Sequence, residues 1–262
     1  MLGDTPARDY GDKLEAFSRF AEPELRALIG ELGIAPGMRV LDAGCGVGLV
    51  TAWLGDAVGL DLALAHARAA RERVADVVVG DIARLPLRDA VFDLVWCANT
   101  IHHLPDPLAG VRELLRVLRP GGRVALVQSF LLPEMVFAWD ERLEREVIAA
   151  NRRYYREKYG LSERDVTGMR ALVGLLRRAG VADVRARSVL IERIAPLSAA
   201  DERYFVETVF AGYWGRRVQP YLTAEDWAEV QRLCDPEAPE YALRRPDFHY
   251  LQSLSMVVGE RT

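Results

Sequence analysis

The chain is 262 residues long, half of them hydrophobic, and its formal net charge is −4. That length and apolar content suffice for one large core, so a single domain over residues 1–262 is expected. The acidic balance leaves no global basic field of the kind that gathers nucleic acid.

In chain order, residues 1–23 are polar and mixed, with Tyr10, Phe17 and Phe20 as large apolar anchors, and read as an N-terminal cap segment. A helix over about 24–32 precedes a turn rich in glycine and proline at 33–37. An apolar run at 38–41 then leads into Asp42 and three glycines at alternate positions, Gly44, Gly46 and Gly48. Glycines let the backbone turn sharply and approach a ligand closely. Residues 49–54 are expected to open a helix whose first amides face that ligand. A second apolar strand at 57–62 carries Asp61, thirteen residues after Gly48. In a doubly wound sheet this carboxylate stands at the carboxyl edge beside the glycine loop, where it can hold ribose hydroxyls. A nicotinamide-dinucleotide site is disfavoured, since Leu49 stands where the third glycine of its usual pattern would fall.

Further strands are expected at 77–82, ending near Asp81, at 91–97 and at 121–127. Between the last two, residues 107–118 carry Leu108, Val111, Leu114, Leu115 and Leu118 at helical spacing and stop before Pro120 and Gly121. Strands alternating with helices imply a parallel sheet with helices on both faces. Two segments exceed that plan. Residues 131–167 place Met135, Trp139, Leu143 and Val147 at four-residue intervals, which suits either a helix packed on the core or a lid over a pocket. Residues 195–246 hold Tyr204, Phe205, Phe210, Tyr213, Trp214, Tyr221, Trp227 and Tyr241. They are expected to form a helix over about 198–217 and another opened by Thr223, either roofing a pocket or making a homodimer contact. Strands at 184–194 and 247–258 flank this segment. The apolar stretch 124–139 is interrupted by Gln128, Pro133 and Glu134, so no membrane span is expected. Cys45, Cys97 and Cys234 lack metal-ligand spacing. They read as thiols in a reducing cytoplasm, and no metal is expected.

The segments VLDAGCGVG (40–48), GLDL (59–62), GDIARLPL (80–87), FDLVWCANTIHHL (92–104) and RELLRVLRPGGRVAL (112–126) together resemble the class I S-adenosylmethionine-dependent methyltransferases. The LPL and HHL-x-D stretches look most like the branch that methylates small molecules, quinones and natural products among them. The resemblance is close over about 24–130 and resumes weakly at 168–194 and 248–258. It implies an α/β fold with a Rossmann-like, doubly wound, seven-stranded and mostly parallel sheet, an antiparallel last strand and helical insertions. It implies S-adenosyl-L-methionine as cofactor and a small-molecule methyl acceptor as partner. Gly44, Cys45 and Gly46 would line the methionyl side, with Asp42 close by. Asp61 would bind the ribose hydroxyls, Leu62 would cover one adenine face, Asp81 would accept from the adenine amino group, and the Ile82 amide would donate to a ring nitrogen. Asn99 would offer its backbone carbonyl to the methionyl ammonium.

Methyl transfer from a sulfonium starts from an activated donor, so a base is needed only for a protonated acceptor. His102 and His103 follow Asn99, and a neutral imidazole can take that proton near neutral pH, with the rate falling as it protonates in acid. They could instead cap the loop and bond Asp106. His249 and Tyr250 suit a core or surface position better. The end of the fourth strand lacks the signatures of enzymes that methylate planar nitrogens or cytosine C5. The expected activity is methyl transfer to a small, partly apolar molecule. The alternative is a cofactor-binding protein of the same fold that catalyses a lyase or cyclisation reaction.

Overall fold

The computed structural model describes residues 11–129, 136–137, 140–159 and 171–262. The chain divides into two compact units, one comprising Met1–Ser129, Thr167–Val189 and Leu254–Thr262, the other Phe130–Val166 and Leu190–Ser253.

The first unit is built on the parallel strands β1 (Val40–Ala43), β2 (Ala57–Asp61), β3 (Val77–Val79), β4 (Phe92–Ala98) and β5 (Leu118–Ser129), in the order β3-β2-β1-β4-β5. The two-residue β6 (Val136–Phe137) follows, and then the long strands β7 (Ala182–Ile194) and β8 (His249–Glu260). β8 lies antiparallel on β5, pairing Arg123 with Glu260 through Ser129 with Leu254. β7 pairs with β8, and β6 adds two antiparallel pairs to β8 at Tyr250 and Leu251. The expected mostly parallel sheet with an antiparallel last strand is therefore present, with β6 as a short addition.

Central strands of a parallel sheet are covered on both faces and so read as continuous apolar runs. All of β1 is buried, and so are Leu94, Val95, Trp96 and Cys97 of β4. On one face Val95, Cys97, Val124 and Leu126 pack with Val111, Leu114 and Val117 of a helix over Pro107–Val117 and with Leu172, Leu175 and Leu176 of a helix over Leu172–Arg178. Each such side chain contributes about 1.5–3 kcal/mol by leaving water. In order, the helices are α1 (Gly11–Phe20), α2 (Glu22–Gly30), α3 (Leu64–Ala70), α4 (Pro107–Val117), α5 (Glu141–Tyr159), α6 (Leu172–Arg178), α7 (Ala199–Arg203), α8 (Gly215–Val218) and α9 (Ala224–Cys234). The expected helix over 49–54 is not formed; its place is taken by a single 3-10 turn, Thr51–Trp53. Thr51 turns its hydroxyl to Asp42 instead of standing on a helix face, and Gly55, at φ +78°, ends the segment after one turn.

In the second unit α5 buries Leu143, Val147 and Ala150, at the spacing read from the sequence, whereas Met135 and Trp139 lie outside the described residues. The helix expected over 198–217 starts at the expected residue, where Ser198 Oγ accepts the Asp201 amide at 3.1 Å. It is α-helical only in α7 and α8; Tyr204–Trp214 between them is a π-helix. Tyr204, Phe205, Phe210, Trp214 and Tyr241 are buried, with Phe205 edge-on to Phe248 and Tyr250. These rings thus build the interior of their own unit. Thr223 caps α9 as expected, accepting the Asp226 amide, and the Asp226 carboxylate accepts from Arg142 on α5 at 2.5 Å.

α4 begins at Asp106, whose Oδ1 accepts the Leu108 and Ala109 amides at 3.0 Å each. Asp106→Ala leaves both donors without this partner and is expected to lower unfolding free energy by about 1 kcal/mol. Urea titration checks this; an unchanged midpoint would show that the cap carries no stability.

Candidate active site

Parallel pairing of β1 with β2 and β4 brings their carboxyl ends to one edge, with Asp42 opposite Gly59 and Trp96. The chain leaves β1 through Gly44 at φ +85°, where a Cβ would collide with the Thr100 side chain. At Gly48, φ +79°, a Cβ would stand 2.9 Å from the Ala70 backbone of α3. The loop is bonded down onto β2. Leu60 O accepts the Gly44 and Cys45 amides at 2.7 and 2.9 Å, and Asp61 Oδ2 accepts the Gly46 amide at 2.8 Å.

Asp61 Oδ1 also accepts the Ala63 amide at 2.9 Å and lies 3.2 Å from His66 Nδ1. Asp42 is buried and accepts the Thr51 hydroxyl at 2.7 Å. Burial pushes its carboxyl up to about 7; the Thr51 bond opposes that and the charge on Asp61 adds to it. Asp81 is exposed and spends Oδ1 on the Ala83 amide at 2.8 Å, while Ile82 behind it is buried. Asn99 adopts φ +50°, donates its amide to Val127 O at 2.8 Å and uses Oδ1 to accept the Ser129 amide and hydroxyl. Asparagine tolerates this left-handed conformation better than most residues. Its side chain ties the end of β4 to the end of β5.

His102 and His103 lie on one 3-10 turn with ring centroids 4.0 Å apart. They have different surroundings. His103 lines the cavity described below, whereas His102 does not, and its Nδ1 is buried without a hydrogen-bond partner. Burial, reinforced by His103, lowers the His102 pKa to about 3. Its imidazole is therefore neutral across the physiological range, and an acid limb from its protonation falls well below the ordinary histidine range. Asp106, the alternative partner for the pair, accepts the two helix amides described above.

These residues surround a cavity of about 570 Å³. Its wall includes Asp42, Gly44, Cys45, Gly46, Asp61, Leu62, Asp81, Ile82, Asn99 and His103, so of the candidate site residues His102 alone is not on it. The volume lies in the range of small-molecule and cofactor pockets. The lining also has apolar members, Leu14 and Phe17 of α1, Leu25 of α2, Val50, and Trp96, the β4 partner of Asp42. Trp96 is fully buried and its Nε1 has no partner. Arg73 holds α1 at the loop, donating to Val47 O at 3.1 Å and pairing with Glu15 at 2.8 Å. The sequence reading did not find Leu14, Leu25, Trp96 or His66. Their only local signal is apolar spacing or, for His66, a histidine five residues after a strand-end aspartate. The residues present fit an adenosyl-methionyl group. Carboxylates at the ends of β2 and β3 match hydroxyl and amino donors, and the glycine loop leaves room for close approach. Cys45, Cys97 and Cys234 are free thiols; burial pushes Cys97 and Cys234 up to about 12 and Cys45 further, so none is a ready nucleophile. Among the described residues no His, Cys, Asp or Glu cluster could hold a metal ion, and no helix is long and apolar enough to cross a membrane.

A family model described as a methyltransferase domain matches residues 41–126. Malonyl-(acyl-carrier protein) O-methyltransferase of Pseudescherichia vulneris is 32% identical over 195 residues, covering 64% of this chain and 78% of the relative. The chain belongs to the class I S-adenosylmethionine-dependent methyltransferases. The chain is also 39% identical to the 27-O-demethylrifamycin SV methyltransferase of Amycolatopsis mediterranei over 119 residues, 40% of this chain and 44% of that one. Apart from the malonyl relative, it spans about half the length of the curated relatives just mentioned or similar to them. Among solved structures, a S-adenosylmethionine-dependent methyltransferase from Thermotoga maritima superposes with a TM-score of 0.54 at 16% identity, covering 97% of this chain and 96% of that one, which is a likeness of fold.

The Asp42 carboxyl yields a prediction for the ligand-free methyltransferase. In the native state it keeps its proton up to about pH 7, whereas in the unfolded chain it gives the proton up near 3.8. Between those values the native state binds more protons, so this contribution to stability is lost as pH rises through that window. In Asp42→Asn that loss is absent. The unfolding free energy of the variant minus that of the parent should therefore grow from about pH 4 to about pH 7. The His102 contribution, which falls away in acid, is common to both proteins and cancels. Urea titrations across that range check this, and a pH-independent difference would contradict the burial argument.

Proposed function

We propose that this chain transfers a methyl group from S-adenosylmethionine to a small, partly apolar acceptor. The observation that carries the reading is one cavity lined both by strand-end carboxylates and a glycine loop and by the apolar Leu14, Phe17, Leu25 and Trp96. Membership of a methyltransferase family, with curated relatives named as methyltransferases, supports methyl transfer over a lyase or cyclisation reaction. When bound, S-adenosylmethionine supplies a methyl group already activated on a sulfonium. The protein's own work is binding, orienting and excluding water.

Gly44, Cys45 and Gly46, with Asp42 behind them, would flank the methionyl end, and the Asn99 carbonyl would accept from its ammonium. Asp61 would accept from the ribose, Leu62 would cover the adenine, and Asp81 with the Ile82 amide would read the adenine edge. Asp61 accepts from the Gly46 and Ala63 amides and from His66, which hold its carboxylate at the end of β2. The apolar part of the lining would take the body of the acceptor, since burying apolar surface there is favourable. Where the acceptor starts protonated, His103 on the cavity wall is better placed than His102 to receive the proton. We place this chemistry on a free small molecule and not on nucleic acid, in the cytoplasm, in keeping with the net charge of −4 and the free thiols.

Asp61→Ala is expected to weaken cofactor binding by at least about 1.5–3 kcal/mol, the usual loss for a hydrogen bond to a charged group, because it also releases the Gly46 amide of the glycine loop, while the sheet stays folded. Calorimetric titration with S-adenosylmethionine measures it, and parent-like affinity would overturn the ribose assignment. With an acceptor in hand, His103→Ala should cut turnover roughly a hundredfold at little cost in cofactor affinity. S-adenosylhomocysteine formation is the readout. If His102→Ala costs more than His103→Ala, the roles of the two rings are reversed.

A further inference from the structure

His66 occupies the third position of α3, is 4% exposed, and stands on the cavity wall beside Asp61. An ionised carboxylate only accepts, so the 3.2 Å approach of His66 Nδ1 to Asp61 Oδ1 requires the ring proton on Nδ1. The other two donors to Asp61, the amides of Gly46 and Ala63, belong to the backbone. Among the described residues, Ala63 and His66 donate to Oδ1 and Gly46 to Oδ2. A side-chain donor on Oδ1 keeps the Asp61 carboxylate from rotating about its terminal torsion, which is otherwise soft.

We propose that His66 is a positioning residue of the cofactor site, holding Asp61 by Oδ1 in the orientation that meets the ribose. This rests on the reading of Asp61 as the ribose anchor. His66 acts through Asp61, so its effect on binding should vanish when the carboxylate is removed.

The test has two readouts. In ligand-free protein with nitrogen-15-labelled histidine, nuclear magnetic resonance should show His66 protonated on Nδ1, with that preference lost in Asp61→Asn. In calorimetry with S-adenosylhomocysteine, His66→Leu should raise Kd about tenfold. His66→Asn, whose amide nitrogen can stand near the place of Nδ1, should restore Kd to within about threefold of the parent. In an Asp61→Ala background, His66→Leu should change Kd by less than about twofold. Should His66→Leu fail to fold, His66→Asn and the tautomer of the parent still decide the matter. The proposal is overturned by a parent protonated on Nε2, by a parent-like Kd in His66→Leu, by the same loss with and without Asp61, or by no rescue in His66→Asn. A parent-like Kd in Asp61→Ala overturns the ribose reading itself. A weak Asp61→Ala beside a parent-like His66→Leu overturns only the role of His66.

Discussion

The Gly46 amide donates to Asp61 Oδ2, and with the two amides that share Leu60 O it bonds the glycine loop to the end of β2. A loop with left-handed glycines at Gly44, Gly46 and Gly48 gains little from its own conformational preferences. Glycine loses more backbone freedom on folding than any other residue, so such a loop keeps one shape only when outside partners hold it. Asp61 provides that hold from the neighbouring strand, because parallel pairing of Asp42 with Gly59 brings the ends of β1 and β2 level. The cavity exists because this loop turns away from the sheet edge and stays there.

Holding the loop with a carboxylate has an electrostatic consequence. Asp42 is buried close to Asp61, so loss of water first, and then the charge on Asp61, raise its cost of ionisation. The structure offsets this with donors, the Thr51 hydroxyl for Asp42 and two amides and an imidazole for Asp61. The failure of residues 49–54 to form a helix belongs to the same balance, since it frees Thr51 to serve Asp42. Acceptor-rich and apolar side chains thereby share one cavity, and Arg73 links Glu15 of α1 to the loop carbonyl of Val47.

Much of the site was legible because its residues stand at strand ends within short motifs. Asp42, Asp61 and Asp81 each follow an apolar run, and the strand period carries such residues to the sheet edge whatever packs around them. The apolar part of the lining was not legible as such. Leu14, Leu25 and Trp96 look like any core side chain; the packing of α1 and α2 brings the first two to the cavity, and the pairing of β4 with β1 sets Trp96 beside Asp42. The histidine pair shows the same limit. Neighbouring side chains diverge, but which ring meets the cavity and which is buried depends on how the turn after β4 sits on the sheet.

The amino-acid sequence by itself determined the alternation of strands and helices, the glycine loop, the caps at Asp106, Ser198 and Thr223, and the strand-end carboxylates. These are set by backbone sterics, side-chain period and hydrogen bonds between near neighbours, all of which act over a few residues. Tertiary structure decided the single 3-10 turn after the loop, the π-helix over Tyr204–Trp214, the burial of the aromatic rings around Phe205, and the neutral state of His102. It also placed His66 against Asp61. Each of these depends on a partner distant in the chain or on the loss of water around a group, and neither is encoded in local spacing.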